Sequence, residues 1–436
     1  MCCILLKDKE LSATFDLQHL KVNDDMTMFL FKNPFKKQTF ICPYCFNEVN
    51  SDDILFQCAE VCQAPDPVRT EFEECRPVSA DEIRVYKWVF EGEKVNPVLR
   101  WFGVKKPHKV PCSRCGIPTS VKVCPECHSM YPYEYAKYPT PTIAIIGAKE
   151  TGKSHYIAVL IKQIRDLENQ FRWSLMALDE DTTPRYKRYF GEPLARKEVL
   201  PPTRGAAAAA ELRNPLLYSL SFPNSNKFIT STLAFFDTAG EDMDDRSVMT
   251  RYTPYIYNAK GIILLLDPLQ QETLRSQLPQ KRLDELSQTL RENANAAAGE
   301  ITERLVRVIR ENRELPRNKK IDVPLAVVFS KMDEFRDVFG EDAPIYRPSQ
   351  HRGYFNKAEF DEINKYVSGW VGRVDPEFIG ATKQFKDVGF FGVSALGQQP
   401  DRIGNNQRLK SPPRPMRVED PFLWLLWKKG GFIDSK

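Results

Sequence analysis

Short apolar runs alternate with segments of helical periodicity through the middle of the chain. Each run is long enough for one buried strand, and the runs are Thr142–Ile146, Leu216–Phe222, Leu233–Asp237, Gly261–Asp267 and Leu325–Phe329. The first run is followed by apolar residues spaced as on one face of a helix, at Ile157, Leu160, Ile161, Ile164 and Leu167. Strands that alternate with helices predict the α/β class, with a mostly parallel sheet covered by helices on both faces.

The same patterns divide the chain into three parts. Residues 1–138 form a cysteine-rich region, and the prolines near residue 140 favour extended backbone at the boundary before the first core strand. Residues 139–410 form the α/β domain, with a helical insertion at about 271–320. Residues 411–436 are a proline linker and a short aromatic helix. We expect this helix to pack on the sheet, whereas an exposed helix of this composition would be a docking patch.

The loop after the first predicted strand follows the phosphate-binding pattern G-x-x-x-x-G-K-[ST]. Its residues are Gly147, Ala148, Lys149, Glu150, Thr151, Gly152, Lys153 and Ser154. The glycines let backbone N–H groups surround phosphates, and the N-terminus of the following helix adds partial positive charge. Lys153 is expected to reach the β- and γ-phosphates during catalysis and Ser154 to ligate Mg²⁺, while His155 completes the predicted nucleotide-binding loop.

Later segments occur in the order typical of a GTPase, beginning with a D-x-x-G turn. In this turn Asp237 is expected to hold Mg²⁺ through a water molecule, and the Gly240 N–H to contact the γ-phosphate. Because the turn follows a predicted strand, it falls at the carboxyl end of the sheet, where ligands of open α/β folds bind.

A second pair of segments predicts recognition of guanine. Ser330, Lys331 and Asp333 belong to an S-K-M-D sequence that follows the run ending at Phe329. The Asp333 carboxylate would accept two hydrogen bonds from guanine, a pair that adenine does not offer. Ser330 stands where small GTPases have Asn. The S-A-L sequence of Ser394, Ala395 and Leu396 is the segment whose backbone would contact guanine O6.

The residues that close over the γ-phosphate are less well defined by the sequence. Thr203 is favoured as the threonine that ligates Mg²⁺, because it lies close to the strand beginning at Leu216, and Thr182 and Thr183 are alternatives. Glu241 occupies the position where Ras-like proteins often have the Gln that orients the attacking water. Its carboxylate is able to accept a proton but also repels the γ-phosphate, so we expect slow hydrolysis without a partner protein.

Eight of the eleven cysteines form four close pairs. These pairs are Cys42 and Cys45, Cys58 and Cys62, Cys112 and Cys115, and Cys124 and Cys127. Two pairs bring four thiolates to a tetrahedral Zn²⁺ ion, and grouping neighbours along the chain predicts one site from the first four cysteines and a zinc ribbon from the last four. The pairs are also able to combine across the chain. Either way the sites are closed by four protein ligands, which predicts a structural role.

The composition excludes some classes of function. The chain has 62 Lys and Arg against 58 Asp and Glu, a balance that argues against bulk binding to nucleic acid or membranes. The longest apolar runs have the length of strands, so no transmembrane helix is expected. Charged residues follow the start at once, which is not the pattern of a secretory signal. Together with the cysteine pairs, this predicts a cytoplasmic protein.

The combination of cysteine knuckles, G-A-K-E-T-G-K-S, F-F-D-T-A-G-E-D, F-S-K-M-D and a terminal aromatic helix resembles one family. It is similar to bacterial zinc-ribbon GTPases of the double-GTPase type, within the Ras-like, translation-factor-related class. The resemblance implies a molecular switch in a bacterial conflict or stress-response system. It implies GTP and GDP as ligands, Mg²⁺ and Zn²⁺ as cofactors, and a protein partner that activates the switch or receives its signal.

Other functions stay open at this point. A scaffold would dimerise through its GTP-bound domain with little hydrolysis, so that a homodimer is the partner. A nucleic-acid-binding ribbon would use a modest basic cluster, which comprises Lys105, Lys106, His108, Lys109, Arg114 and Lys122. An ATPase is compatible with the sequence only if Asp333 does not read the base.

Overall fold

Strands and helices alternate in the second part of the chain, and short hairpins precede them. The computed structural model describes residues 39–59, 62, 88–92, 107–133, 135, 142–148, 150–201, 214–224, 227–236, 253–290, 298–403, 406–429 and 433–436. Its strands are β1 (Thr39–Ile41), β2 (Glu48–Asn50), β3 (Leu55–Gln57), β4 (Val89–Glu91), β5 (Val110–Pro111), β6 (Pro118–Thr119), β7 (Lys122–Val123), β8 (Ile143–Ile146), β9 (Ser174–Ala177), β10 (Leu216–Asn224), β11 (Lys227–Phe235), β12 (Gly261–Leu266), β13 (Leu325–Phe329), β14 (Val388–Gly392), β15 (Asp401–Ile403) and β16 (Asn406–Arg408).

Helices connect β8 to β9, β9 to β10, β12 to β13 and β13 to β14. They include α1 (Lys153–Asp166), α2 (Glu168–Phe171), α3 (Thr182–Tyr186), α4 (Glu192–Ala195), α5 (Glu272–Arg275), α6 (Gln280–Leu290), α7 (Ala298–Asn312), α8 (Arg336–Phe339), α9 (Lys357–Val374), α10 (Pro376–Thr382) and α11 (Asp420–Lys428). A π-helical segment at Lys187–Gly191 joins α3 to α4, and a 3₁₀ turn at Met332–Phe335 leads into α8.

Four parallel strands form the central sheet in the order β14, β13, β12 and β8. The β12 strand pairs with β8 on one side and β13 on the other, and it is buried along its whole length. A strand buried on both faces needs apolar residues at successive positions, which is why it reads as a continuous hydrophobic run. The α/β class with a parallel sheet, predicted from the run pattern, is confirmed.

An antiparallel sheet adjoins the parallel one. Its order is β11, β10 and β9, and β10 pairs with β11 from Leu216 opposite Phe235 to Asn224 opposite Lys227. Such long antiparallel pairing follows from the short connection between the two strands, because only antiparallel neighbours are joined by a hairpin. The β11 strand also contacts β8, so both sheets converge beside the loop that follows β8.

Side chains of alternating residues on the parallel strands enter two separate cores. Ile262 and Leu264 belong to the core that includes residues of α7, α9 and α10, whereas Ile263 and Leu265 belong to the core that includes residues of α1 and α11. Helices therefore cover both faces of the parallel sheet. This alternation is the two-residue period of a strand.

The C-terminal helix α11 packs on the sheet. Trp424 is fully buried against Phe360 and Phe391, and the segment before the helix is fixed by buried charges. The Arg417 guanidinium donates hydrogen bonds to Asp420 Oδ2 at 2.9 Å and to Glu359 Oε1 at 2.6 Å. In the described part of the chain, the structure contains no helix long and apolar enough to cross a membrane.

Candidate functional site

The loop between β8 and α1 has positions that only glycine fits. A Cβ atom on Gly147 would lie 2.6 Å from the Leu265 carbonyl oxygen of the neighbouring strand. Gly152 has a φ of +87°, in the left-handed region that favours glycine. Helix α1 then begins at Lys153 without a side-chain cap and without an acidic residue in its first turn. Its N-terminus is therefore suited to an anion.

Lys153 lies across this loop. Its side chain is buried, and Nζ donates a hydrogen bond to the Gly147 carbonyl at 2.7 Å. Thr151 is also buried, and its hydroxyl donates to the Ala148 carbonyl at 3.0 Å. A buried ammonium group at the N-terminus of a helix supplies the positive charge and donors that phosphate oxygens require. The loop thus fits a nucleotide phosphate chain, with Lys153 as the counter-charge.

Ser330 joins the predicted base-reading loop to the phosphate loop. Its buried hydroxyl lies 2.9 Å from the Thr151 carbonyl and 3.2 Å from the Leu266 carbonyl, and it is the donor in both contacts. The residue that replaces the usual Asn therefore links the two loops through a short side chain. From the sequence alone, Ser330 was recognised only as the residue that stands in place of Asn.

Lys331 makes a second link between the same two loops. Its Nζ bonds the Asp267 carboxylate at 2.6 Å and the Glu150 carbonyl at 3.2 Å. Asp267 is almost completely buried at the end of β12, where its other oxygen accepts the Leu269 N–H. In the sequence, Asp267 ended a predicted strand and had no predicted role. The position of an ionisable residue at the end of an otherwise apolar run was the signal that could have identified Asp267 as a site residue.

Asp333 is the residue predicted to read the base. It lies in the 3₁₀ turn after Lys331 and is half-buried, and no described residue donates a hydrogen bond to its carboxylate. The S-A-L segment lies beside it, because the Met332 N–H donates to the Val393 carbonyl. Ser394 is buried, while Ala395 and Leu396 are partly exposed. The structure therefore brings together the two segments predicted to read guanine.

His155 lies outside the phosphate loop but fixes a neighbouring segment. Its Nε2 accepts a hydrogen bond from the Leu200 N–H at 3.0 Å, so this nitrogen carries no proton. Burial, aided by the positive charge of Lys331, lowers the pKa of His155 from 6.5 to about 4. The contact ties the start of α1 to the chain that runs toward Thr203. Its geometry gives His155 a supporting role next to the loop.

Thr182 does not fit the role of a magnesium ligand. It is fully buried, and its hydroxyl oxygen accepts the Leu217 N–H of β10 at 3.0 Å. This contact fixes α3 to the sheet, so the alternative placement of the switch threonine at Thr182 is wrong. Several other predicted site residues lie outside the described part of the chain: Lys149, Thr203, Asp237, Gly240 and Glu241.

The cysteine pairs combine across the chain, and the grouping of neighbouring pairs is wrong. Ligand atoms of Cys42, Cys45, Cys124 and Cys127 lie within 4.8 Å of one another, and those of Cys58, Cys62, Cys112 and Cys115 form a second such group. The outermost pairs meet each other and the inner pairs meet each other, so the sites are nested. Antiparallel pairing of β3 with β7 is what carries the later pairs back to the earlier ones.

Both groups fit a tetrahedral metal ion. Four sulfurs at the usual Zn–S distance of about 2.3 Å lie about 3.8 Å apart. The Sγ atoms of Cys42 and Cys127 are 3.9 Å apart, and those of Cys45 and Cys124 are 3.8 Å apart. In the second group, the Sγ atoms of Cys58 and Cys115 are 3.6 Å apart. The donor chemistry and spacing therefore suit Zn²⁺ at both sites.

The knuckle that carries Cys42 and Cys45 is docked on the nucleotide-binding region. The next residue, Phe46, is buried, and its ring centroid lies 5.1 Å from that of Phe236 and 4.8 Å from that of Tyr255. The Asn258 side-chain amide donates to the Phe46 carbonyl at 2.9 Å. The first cysteine group is thus attached to residues that precede and follow the D-x-x-G sequence.

Comparison with known proteins gives a family match over part of the chain. Residues 141–339 match the Double-GTPase 2 family, which confirms the resemblance predicted from the motifs. One relative, from Mycolicibacterium smegmatis, is 26% identical over 407 residues and bears the name "Putative ESX-1 scaffolding and assembly protein SaeC". That alignment covers 88% of this chain and 97% of the relative.

Solved structures that the comparison matched include two GTPase-related proteins. The bacterial selenocysteine-specific elongation factor EF-Sec is 14% identical with a TM-score of 0.23, over 59% of this chain and 26% of that one. The GTP-bound GTPase-like domain of S. cerevisiae Ski7 is 14% identical with a TM-score of 0.29, over 68% of this chain and 52% of that one. The chain therefore spans about a quarter to a half of the length of these structures.

Proposed function

We propose that this protein, whose residues 141–339 belong to the Double-GTPase 2 family, is a switch that binds GTP and hydrolyses it slowly to GDP and phosphate. The observation that carries the proposal is the link through Ser330, whose hydroxyl bonds the phosphate loop and the end of β12. This link holds a base-reading carboxylate beside a phosphate-binding loop. A phosphate site alone would serve any nucleotide, whereas the added carboxylate selects guanine.

The residues of the chain itself account for the slow GTP hydrolysis that we expect. Lys153 offers the positive charge that stabilises charge developing on the transferred phosphoryl group, and Ser154 with Asp237 and Thr203 would hold Mg²⁺. Glu241 replaces the neutral amide that usually orients water. We therefore expect a partner to supply part of the stabilisation. With its reduced cysteines, the protein would work in the cytoplasm.

The metal sites have a structural role in this proposal. Each has four cysteine ligands, which leaves no position for a substrate. Zn²⁺ supplies folding free energy to hairpins that have little core of their own. The knuckle of the first site would then transmit the nucleotide state to partners through Phe46, or help to recruit them.

A second candidate is a GTP-dependent scaffold with negligible turnover. It is favoured by the relative that aligns over 88% of this chain and is named as a scaffolding and assembly protein. In this case the GTP-bound form would assemble, either with itself through the nucleotide-binding domain or with other proteins. Glu241 is compatible with both candidates, because both require slow hydrolysis.

The deciding experiment measures binding and phosphate release with GTP and with ATP on the zinc-loaded protein. Lys153→Ala should abolish binding of both nucleotides, and Asp333→Ala should reduce the preference for GTP. Slow GTP turnover supports the switch. The scaffold is supported if the protein binds GTP selectively without turnover and dimerises when a non-hydrolysable GTP analogue is bound. Absence of nucleotide binding to the wild-type protein would refute both.

A further inference from the structure

One arginine of the helical insertion contacts both loops of the predicted guanine site. Arg282, on α6, places Nη2 2.6 Å from Glu334 Oε2 and 2.7 Å from Gln399 Oε1. Glu334 directly follows Asp333, and Gln399 lies three residues beyond Leu396. A single guanidinium group therefore bridges the S-K-M-D loop and the S-A-L loop.

The position of Arg282 is fixed by the packing of its helix on the core and by a contact with Glu285. Leu274 and Leu278, which precede α6, are buried in the core, and Leu283 packs against the same core. Glu285 accepts a hydrogen bond from Nη1 at 2.8 Å, which leaves Nη2 directed at the two loops. The side chain thus has little freedom to leave its partners, and planar bidentate geometry is what distinguishes arginine from lysine.

The contact with Glu334 lies in partly desolvated surroundings. The side chains of Arg282 and Glu334 are 23% and 13% exposed, which is more buried than an ordinary surface pair. Burial raises the pKa of the Glu334 carboxyl, while Arg282 favours its charged form. An ion pair of this kind stabilises its loop more than an exposed pair would, because solvent screens it less.

We propose that Arg282 is a positioning residue for guanine specificity, holding the two base-reading loops at the separation that the guanine ring requires. The inference rests on the proposed binding of guanine nucleotides at this site. Arg282 does not touch the base; it acts by restraining the loop of Asp333 against the loop of Ser394–Leu396. Restraint before binding lowers the cost of ordering both loops when the nucleotide arrives.

The experiment compares Arg282→Gln with Lys281→Gln, an exposed neighbour on the same helix. Dissociation constants are measured with Mg²⁺ for GDP and for inosine diphosphate, which lacks the exocyclic amine that Asp333 would read. Arg282→Gln should weaken GDP binding about 5- to 10-fold and weaken inosine diphosphate binding less, so that the ratio between them falls. Lys281→Gln should change neither value.

Further variants separate positioning from stability. Gln399→Ala removes the other contact of the same guanidinium nitrogen and should lower the GDP preference in the same direction. Arg282→Lys should retain part of the GDP preference that Arg282→Gln loses. When Asp333→Ala is already present, Arg282→Gln should have no further effect on the ratio, because nothing is left to position.

Two outcomes would overturn the inference. One is equal weakening of GDP and inosine diphosphate in Arg282→Gln, which indicates a general loss of structure. The other is an unchanged GDP dissociation constant in both Arg282→Gln and Gln399→Ala. Failure of the wild-type protein to prefer GDP over ADP is a different result, since it refutes the proposed function itself.

Discussion

Among single residues, His155 combines burial with a specific acceptor role. Its Nε2 must be unprotonated to accept the Leu200 N–H, and the nearby Lys331 adds a repulsive positive charge. The imidazole is therefore kept neutral in the fold. The segment that ends at Leu200 depends on that neutrality, because a protonated Nε2 has no lone pair to offer.

We predict that this histidine makes folding stability depend on pH. Its pKa is lowered from 6.5 to about 4, so the unfolded chain binds more protons between those values. The neutral His155 contributes about 3 kcal/mol to the free energy of unfolding. This contribution is fully present above about pH 6.5 and is lost as the pH falls toward 4. His155→Gln keeps an acceptor for Leu200 without titrating.

The measurement is chemical denaturation of both proteins between pH 4 and 7. Carboxyl groups titrate in both, so the difference between the two pH profiles isolates His155. Parallel profiles for the wild type and the variant would contradict the prediction.

At the element scale, the knuckle after β1 is an integral part of the nucleotide-binding core. Phe46 belongs to the same core as Phe329 and Trp370, although it precedes the first strand of the central sheet by almost a hundred residues. Its φ of 60° turns the chain so that the ring enters the domain while Cys45 stays in the first cysteine group. One aromatic side chain therefore joins two regions that the sequence presents as separate.

We predict that Phe46→Ala destabilises the nucleotide-binding domain by about 3–5 kcal/mol, because it removes a fully packed ring. Phe56→Ala is the matched control, since Phe56 is equally buried but packs beside Phe90 and the second cysteine group. Hydrogen exchange of the strands around Phe236 should rise in the first variant and stay unchanged in the second. If hydrogen exchange of these strands is the same in Phe46→Ala and Phe56→Ala, the knuckle does not stabilise the nucleotide-binding domain.

A similar long-range contact shapes the S-A-L loop. Ser394 forms a β-bridge with Met416, and the Ser394 hydroxyl oxygen accepts the Gly397 N–H at 2.8 Å. Gly397 has a φ of +66°, and a side chain there would collide with the Arg414 carbonyl oxygen. The loop that would contact guanine O6 is thus held by the chain leading to α11.

At the scale of the whole molecule, the nested cysteine sites define how the first part of the chain is connected. Neighbouring and nested groupings use the same residues and differ only in which pairs share an ion. Pairs of substitutions distinguish them, because removing one thiolate from a four-cysteine site generally releases its metal.

We predict that Cys45→Ser with Cys124→Ser releases one of two zinc ions, since both cysteines belong to the same site. Cys45→Ser with Cys58→Ser should release both ions, since these cysteines belong to different sites. Native mass spectrometry of the intact protein counts the bound zinc directly. The opposite result, with two ions lost in the first variant and one in the second, would restore the grouping of neighbours.

The elements and the chemistry of the phosphate loop were predictable from the amino-acid pattern. Hydrophobic runs such as Gly261–Leu266 follow from burial on both faces of a sheet, and the glycine at 152 follows from local backbone geometry. Both effects act between residues that are near in sequence or on one strand, so a pattern records them. The four cysteine pairs and the Asp333 motif were visible for the same reason.

The contacts between distant residues, by contrast, became known from the folded chain. The nested cysteine groups, the Ser330 link to Thr151, the burial of Thr182 and the bridge made by Arg282 all join residues separated by tens of positions or more. Each depends on strand order and on the angle at which a loop leaves the sheet. Those quantities are set by packing of the whole chain, and no local pattern of residues encodes them.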